Sequence, residues 1–437
     1  MSDVPLGDST GGRPERTAHT GGHDPHAGGL QVRFRLPMTG RDTTEEHRGT
    51  TPLELLFDLS FVVAVAGAAS GLHHALAAHI DAHGADPTAV DAPGVGLALA
   101  KYGMVFFAIW WAWMNFTWFA SAFDTDDVLY RLMVLVQMSG ALVLAAGVPA
   151  GFDRADFTVI TIGYTIMRIG MISLWLRSAI EHPPLRTTSL LFAGGLALVQ
   201  ILWILRLLLP PAAGIVGFFV LVVGEIAVPV IAENVGGRTP WHPGHIADRY
   251  GAFTVIVLGE VILASSASVQ QAWAEGFSGG LIMIAIGGLV TVFSMWWLYF
   301  KRPAEISLRA RTVNPFAWGY GHYLIFSAVA AVGAGIGVLA ELHHESGSAL
   351  RPAAVVLAGA AAVYLAVLGV MRWAESRDRG STLRYAAGAV GLILVGLLEL
   401  NAGATVLCCG LVLAVTLAWH LWAASRQGAV RADHDRA

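Results

Sequence analysis

Six ionisable residues stand inside long apolar runs: Glu54, Asp58, Arg168, Glu225, Arg249 and Glu260. In hydrocarbon such groups are costly, about 3 kcal/mol each at the centre of a helix, unless they meet one another or a wet cavity. Buried acids near bases can take up and release protons, hold an ion, or only fix how helices pack. Glu54 and Asp58 are four residues apart and therefore share one face of a helix. Arg249, Phe253, Ile256 and Glu260 form one stripe of another helix. At ~1.5 Å per residue Glu260 lies about 16 Å along that helix from Arg249, close to mid-bilayer, and Asp58 about 9 Å from Pro52. The spacing predicts two pairings. Glu54 and Asp58 should meet Arg249 near one membrane face, and Glu225 or Glu260 should meet Arg168 deeper in. Gly224 and Pro229 flank Glu225, a pattern that marks cavity-lining helices.

A second set of residues could hold a metal. His79 and His83 have the spacing that places two ligands on one helix face, and His343 and His344 stand in a later loop beside Glu341 and Glu345. Pro87 and Pro93 would break any long helix at the first site. Read as polar loop rims, these histidines need no metal. The adjacent Cys408 and Cys409 sit in an apolar run and read as small helix residues. There is no phosphate-binding Gly-Lys-Ser/Thr loop, no dinucleotide glycine pattern, no His-Glu-x-x-His and no Gly-x-Ser-x-Gly elbow, so no cofactor is implied.

The elements that must position these groups are membrane helices. Of 437 residues 55% are hydrophobic and 13% charged, against roughly a quarter charged in soluble domains. Twelve apolar segments of bilayer-spanning length follow residue 51. They cover 52–77, 97–120, 128–149, 156–178, 188–209, 212–232, 246–270, 277–300, 315–340, 352–373, 383–400 and 403–424. Arginines alternate between connections accordingly. One side holds Arg41, Arg131, Arg177, Arg238, Lys301, Arg302, Arg372, Arg384 and Arg426; the other keeps Arg154 and Arg351, with Lys101 and Arg206 near helix ends. The positive-inside rule puts the richer side, and both termini, in the cytoplasm. Residues 1–50 have no apolar period and are expected to be a disordered cytoplasmic tail, and residues 426–437 are expected to be a cytoplasmic tail at the other end. The dispersed arginines read as topology determinants and not as a nucleic-acid surface.

The segments fall into two sets, 51–235 and 236–425. Phe107 to Trp113 and Phe293 to Tyr299 place Trp110-Trp111 and Trp296-Trp297 in the same frame. Matching Phe57 to Phe253 sets Asp58 against Thr254, and the small-residue runs after Ser139 and Ser327 also align. Six helices per set is even, so the two sets would be parallel repeats about an axis along the membrane normal. The expected fold is therefore all-α, a polytopic bundle of twelve helices in two parallel six-helix repeats.

Glu54-Leu55-Leu56-Phe57-Asp58-Leu59-Ser60-Phe61-Val62, and His245-Ile246-Ala247-Asp248-Arg249-Tyr250-Gly251-Ala252-Phe253 running on to Gly259-Glu260, resemble the bacterial low-temperature-requirement A family. The Tyr164 to Arg168 element and the aromatic second helix are similar too, and the likeness covers roughly residues 45–425. Ser60 and Val63 replace bulkier apolar residues usual after the Phe-Asp pair. The resemblance implies a multi-pass protein of the bacterial inner membrane. Over a short stretch, Phe57-Asp58 and Arg249 with Phe253-Thr254 are also similar to the Arg…Phe-Ser-Asp motif of the endolysosomal potassium channels.

The expected function is non-enzymatic: a transporter or channel for an ion or small solute, with a polar path between the two halves lined by the six charges. The alternatives are a metal-dependent membrane enzyme on a lipid or envelope precursor, using the outer histidines, and a non-catalytic membrane stress factor. Expected partners are the lipid bilayer, an ion or small solute, and a second copy of the chain.

Overall fold

Several helices begin where the sequence supplies a start signal. Thr51 and Glu54 make reciprocal bonds across the first turn of α1: Thr51 Oγ1 accepts from the Glu54 N–H at 3.3 Å and a Glu54 oxygen accepts from the Thr51 N–H at 2.8 Å. This is a capping box, with Pro52 in the first turn, where its missing N–H costs nothing. Asp127 caps α3, Ser278 caps α8 and Asn314 caps α10, each accepting a backbone N–H of the first turn.

The computed structural model describes residues 34–42, 45, 49–83, 92–123, 125–275, 278–310, 312–345 and 347–434. The helices are α1 Pro52–His83, α2 Ala92–Ala122, α3 Val128–Arg154, α4 Thr158–Glu181, α5 Arg186–Arg206, α6 Pro211–Gly236 and α7 Pro243–Glu275. Then come α8 Gly279–Phe300, the short α9 Ala304–Arg309, α10 Pro315–Glu341, α11 Arg351–Ser376, α12 Arg379–Leu397 and α13 Ala402–His434. Among the described residues twelve helices are long and apolar enough to cross a bilayer, and each coincides with one expected segment. The closely spaced segments stay separate helices: Pro211 starts α6, and α12 stops at Leu397 before α13 begins at Ala402.

The bundle is built around α10, whose residues from Ala328 to Ala340 are all buried. It touches α1, α2, α7, α8, α11 and α13. Around it the packing order is α1–α3–α4–α5–α6 in the first half and α7–α10–α11–α12–α13 in the second, and the halves meet where α1 and α2 lie on α7 and α10. Backbones touch where α3 crosses α4. A Cβ at Gly163 would lie 2.3 Å from the Leu144 nitrogen, and one at Gly140 would lie 2.7 Å from the Gly163 oxygen. Small residues permit such contact in membranes, where dispersion between helices replaces the hydrophobic effect as the driving force. The faces of α5 and α6 turned outward carry exposed Ile201, Leu205, Val216, Val220 and Val223, the surface expected against lipid.

Only part of the expected 1–50 tail lies within the described residues, and there residues 34–42 lie against the arginine-rich face. Leu36 N–H donates to Asp127 Oδ2 at 2.8 Å, Met38 N–H to Glu181 Oε2 at 2.8 Å, and Arg41 N–H to the Ala122 carbonyl at 3.0 Å. Arg177 ties the same ends together, donating to both oxygens of Asp127 and to Glu181.

Candidate functional site

The first charge cluster joins α1 to α7. Asp58 Oδ1 accepts from Arg249 Nη2 at 2.6 Å and from Trp113 Nε1 of α2 at 2.7 Å. One turn earlier, Glu54 Oε1 stands 3.3 Å from Arg249 Nη1 and 3.1 Å from His245 Nε2. Asp58, Arg249 and His245 are fully buried and Glu54 nearly so. The surround is aromatic: Phe57 lies 4.1 Å from Phe116, and Trp113 stacks on Phe253 at 4.3 Å between ring centres. Acid on the first half thus meets base on the second. Breaking a buried pair like this by removing one partner costs about 3–5 kcal/mol, because the remaining charge stays buried.

The second cluster is deeper and lies within the first half. Glu225 on α6 receives four donors. Oε2 accepts from Arg168 Nη2 at 2.7 Å and Trp111 Nε1 at 2.8 Å; Oε1 accepts from Trp203 Nε1 at 3.1 Å and the Tyr164 hydroxyl at 3.2 Å. Arg168 also donates to the Tyr164 oxygen. A carboxylate has about four lone-pair sites, so every acceptor position of Glu225 is filled. The donors come from α2, α4 and α5, and all five residues are buried.

Cavities lie on either side of Glu225. One, of about 40 Å³, is lined by Phe107, Thr161, Tyr164, Trp203, Arg206 and Phe218. The other, also about 40 Å³, is lined by Asn115, Trp175, Phe192, Pro229, Glu233 and Tyr320. On α2, α4 and α6 a residue of the Glu225 cluster (Trp111, Arg168 and Glu225 itself) falls between the residues facing the first cavity and those facing the second, while on α5 Trp203 itself lines the first. Arg206 also lines a third cavity of about 420 Å³, which opens at the face opposite the arginine-rich one, beside Lys101, Arg154 and Asp156. The four helices therefore carry a file of three spaces, broken at the Glu225 cluster.

The remaining expected residues are placed differently. Glu260 is half-buried and, among the described residues, makes no hydrogen bond or ion pair, so Arg168 takes Glu225 alone. Trp110 and Trp111 are buried, whereas Trp296 and Trp297 are 46% and 49% exposed. The shared sequence frame does not give a shared environment. α8 buries Gly287, Thr291, Ser294, Met295 and Leu298, with Gly287 set against α13, and so turns both tryptophans outward. Of the histidines, His343 stacks on His344 at 3.6 Å and His73 pairs with Glu341 at 2.6 Å. The His83 side chain lies outside the described residues, as does the loop that follows it. Among the described residues no three His, Cys, Asp or Glu side chains are grouped to hold a metal ion.

Several polar residues of these sites gave no signal as such in the sequence. Trp113, Trp203 and Tyr164 look like core aromatics until their N–H or O–H is seen aimed at a carboxylate. His245, four residues before the start of the charged stripe, could have been found by that offset from Arg249. A further cavity of about 550 Å³ opens at the arginine-rich face between α7, α8, α10 and α11. Buried His322 faces it, and its Nε2 lies 2.9 Å from the Tyr299 hydroxyl.

A curated relative, described as an uncharacterized protein of Rhizobium meliloti (strain 1021), is 25% identical over 310 residues, 66% of this chain and 70% of the relative. No solved structure matches. Residues 49–424 match the family described as bacterial low temperature requirement A protein (LtrA), a stretch that takes in both charge clusters and all twelve spans but the last residues of the final one. The chain is a multi-pass membrane protein of that family.

Proposed function

We propose that this protein passes a proton or small ion across the membrane through α2, α4, α5 and α6, with the Glu225 cluster as the gate. The observation that carries the reading is the file of cavities interrupted at Glu225, whose holders Tyr164 and Trp203 also line the space on one side of it. A water needs about 10–15 Å³ of such space. The two inner cavities, about 40 Å³ each, therefore suit water and a small ion better than a bulky solute. The wider opening beside Lys101, Arg154 and Arg206, with Asp156 as its carboxylate, would concentrate anions at the entrance. Arginine distribution supports placing that opening outside and both termini in the cytoplasm.

The path in this reading runs inside the first half, with Tyr320 of α10 at one end, and not along the boundary between halves. There the Glu54–Asp58–Arg249 cluster is walled in by aromatic rings and acts as a clamp. The recurrence of one packing order in residues 51–235 and 236–425 supports the two-repeat arrangement. So does a matched contact: Asp58 with Trp113, and Thr254 with Tyr299, are the pairs that the internal alignment sets against each other.

The test is flux into liposomes holding the purified protein, measured for protons, potassium, sodium and chloride. Glu225→Gln keeps the shape but removes the charge that holds Arg168, and should change a flux at least tenfold without loss of monodisperse protein. If wild type moves none of these ions, or the folded variant moves them at the wild-type rate, the gate reading is wrong and the cluster only fixes packing.

A further inference from the structure

At the arginine-rich face of the second half, between α8, α11, α12 and α13, lies a cavity of about 810 Å³. Its charged lining is Lys301, Arg302, Arg372, Arg384 and Arg426 against a single carboxylate, Asp378. Two of the cations have prior partners: Arg372 is bound by Glu375 at 2.8 Å, and Arg384 stands 3.8 Å from Asp378. Lys301 lies over the Tyr385 ring at 4.8 Å and Arg426 over Trp422 at 4.1 Å. Those stacked contacts hold the cations in place and leave their charge uncompensated by an acid.

Two further groups border this space. His420 is 5% exposed and lines the cavity. Its Nδ1 accepts from Arg384 Nε at 3.2 Å, which leaves the proton on Nε2, and Nε2 has no hydrogen-bond partner among the described residues. The α12 helix also starts here: Asp378 occupies its N-cap without a side-chain capping bond, and Ser381 of the first turn lines the cavity. Free N–H groups at a helix start and an excess of basic side chains, four of them arginines, together select a multiply oxygenated anion.

We propose that this cavity binds a phosphate group, presented at this depth as the headgroup of an anionic phospholipid. The rim fits a lipid source. Leu421 lines the cavity, and Trp419 and Trp422 on the same helix are half-exposed at the level where aromatic side chains meet the membrane interface. Basic pockets between helices at this face are suited to phosphate headgroups. The site is separate from the Glu225 file and does not depend on what passes there.

The experiment uses full-length protein in dodecyl maltoside, with apparent melting temperature followed as dioleoyl phosphatidylglycerol, dioleoyl phosphatidylcholine or inorganic phosphate is added. Phosphatidylglycerol should stabilise saturably and phosphatidylcholine should not. Lys301→Gln and Arg302→Gln should each weaken the lipid about fivefold, the order expected for one cation. Asp378→Asn, which removes the one acid, should tighten it by a similar factor. Arg131→Gln, a cation in the first turn of α3, should leave it unchanged. Inorganic phosphate acting alone, with the same response to the variants, would keep the phosphate site but make free phosphate its ligand. Equal stabilisation by both lipids, or wild-type affinity in both Lys301→Gln and Asp378→Asn, overturns the proposal. The gain expected from Asp378→Asn keeps the test decisive if a cation variant fails to fold.

Discussion

The clamp between the two halves makes the most exposed prediction. Arg249→Met would remove the cation that faces Asp58 at 2.6 Å and Glu54 at 3.3 Å. Two carboxylates one turn apart would then be left buried without the guanidinium, beside the neutral donors Thr51 and Trp113 and the imidazole of His245. Removing one partner of a buried pair costs about 3–5 kcal/mol. For 437 residues at about 2.1 cal/mol/K each, the unfolding entropy is about 0.9 kcal/mol/K. A loss of about 4 kcal/mol is then a drop of about 4 °C in melting temperature, and more if helices persist in the micelle. Asp58→Asn keeps an oxygen for Trp113 but removes the charge, and should cost about 3 kcal/mol. The double variant neutralises the pair and should recover at least about 1.5 kcal/mol of the summed loss. Melting of the four proteins in one detergent is the assay. A single Arg249→Met variant within 1 °C of wild type, or a double variant no better than the sum, would refute the clamp.

Three smaller tests follow from local geometry. Burial works against the Asp127 charge, but hydrogen bonds from Arg177 and from the Leu36 and Tyr130 N–H groups outweigh it and hold the carboxyl at about 2. Its pKa falls on folding, so its contribution is complete above about pH 4 and is lost as pH drops toward 2. Hydrogen exchange at the Leu36 and Met38 amides should therefore stay slow down to about pH 3 in wild type. In Asp127→Asn, which preserves the helix cap, the Leu36 amide should be fast at neutral pH; protection there would sink the idea. Gly163→Ala places a methyl 2.3 Å from the Leu144 backbone nitrogen, so it should cost at least about 1–3 kcal/mol and reduce the yield of monodisperse protein. Gly359→Ala, with nothing within 4 Å of the added carbon, should be neutral or raise the melting temperature by removing glycine from a helix interior.

Much of the architecture is legible because membrane helices announce themselves by length alone: a run of about 20 apolar residues has few other uses. All twelve segments could be placed from that, and the pairing of α1 acids with Arg249 followed from two signs of charge on one side. What could not be read is rotation about each helix axis. Glu225 and Glu260 stand at similar depth, yet only Glu225 turns to Arg168, because α6 packs on α5 while the Glu260 stretch of α7 runs beside α10. The same limit applies to Trp296 and Trp297. A matched sequence frame fixes which residues are neighbours along a helix, but the face that is buried is chosen by the partner, here α13 against Gly287 and Thr291. Residues 34–42 carry no periodicity to read; their place comes from Asp127 and Glu181, acceptors about 90 to 145 positions away in the chain.

The two clusters contain similar chemistry, an arginine and a carboxylate with indole donors, yet their surroundings differ. Around Arg249 the space is closed by Phe57, Phe116, Trp113 and Phe253, and the paired groups come from both halves. Such a cluster can fix how the halves sit, and its loss should appear in stability. Around Glu225 two of the holders, Tyr164 and Trp203, line empty space on one side, so in the gate reading a swing of either would open the way toward the second cavity without unpacking a helix. Its loss should appear in flux. Arg249→Met protein that remains folded should then carry the same flux per molecule as wild type, while Glu225→Gln should not. An altered flux in both, scaled only by the amount folded, would mean that the division between clamp and gate is not the one this protein uses.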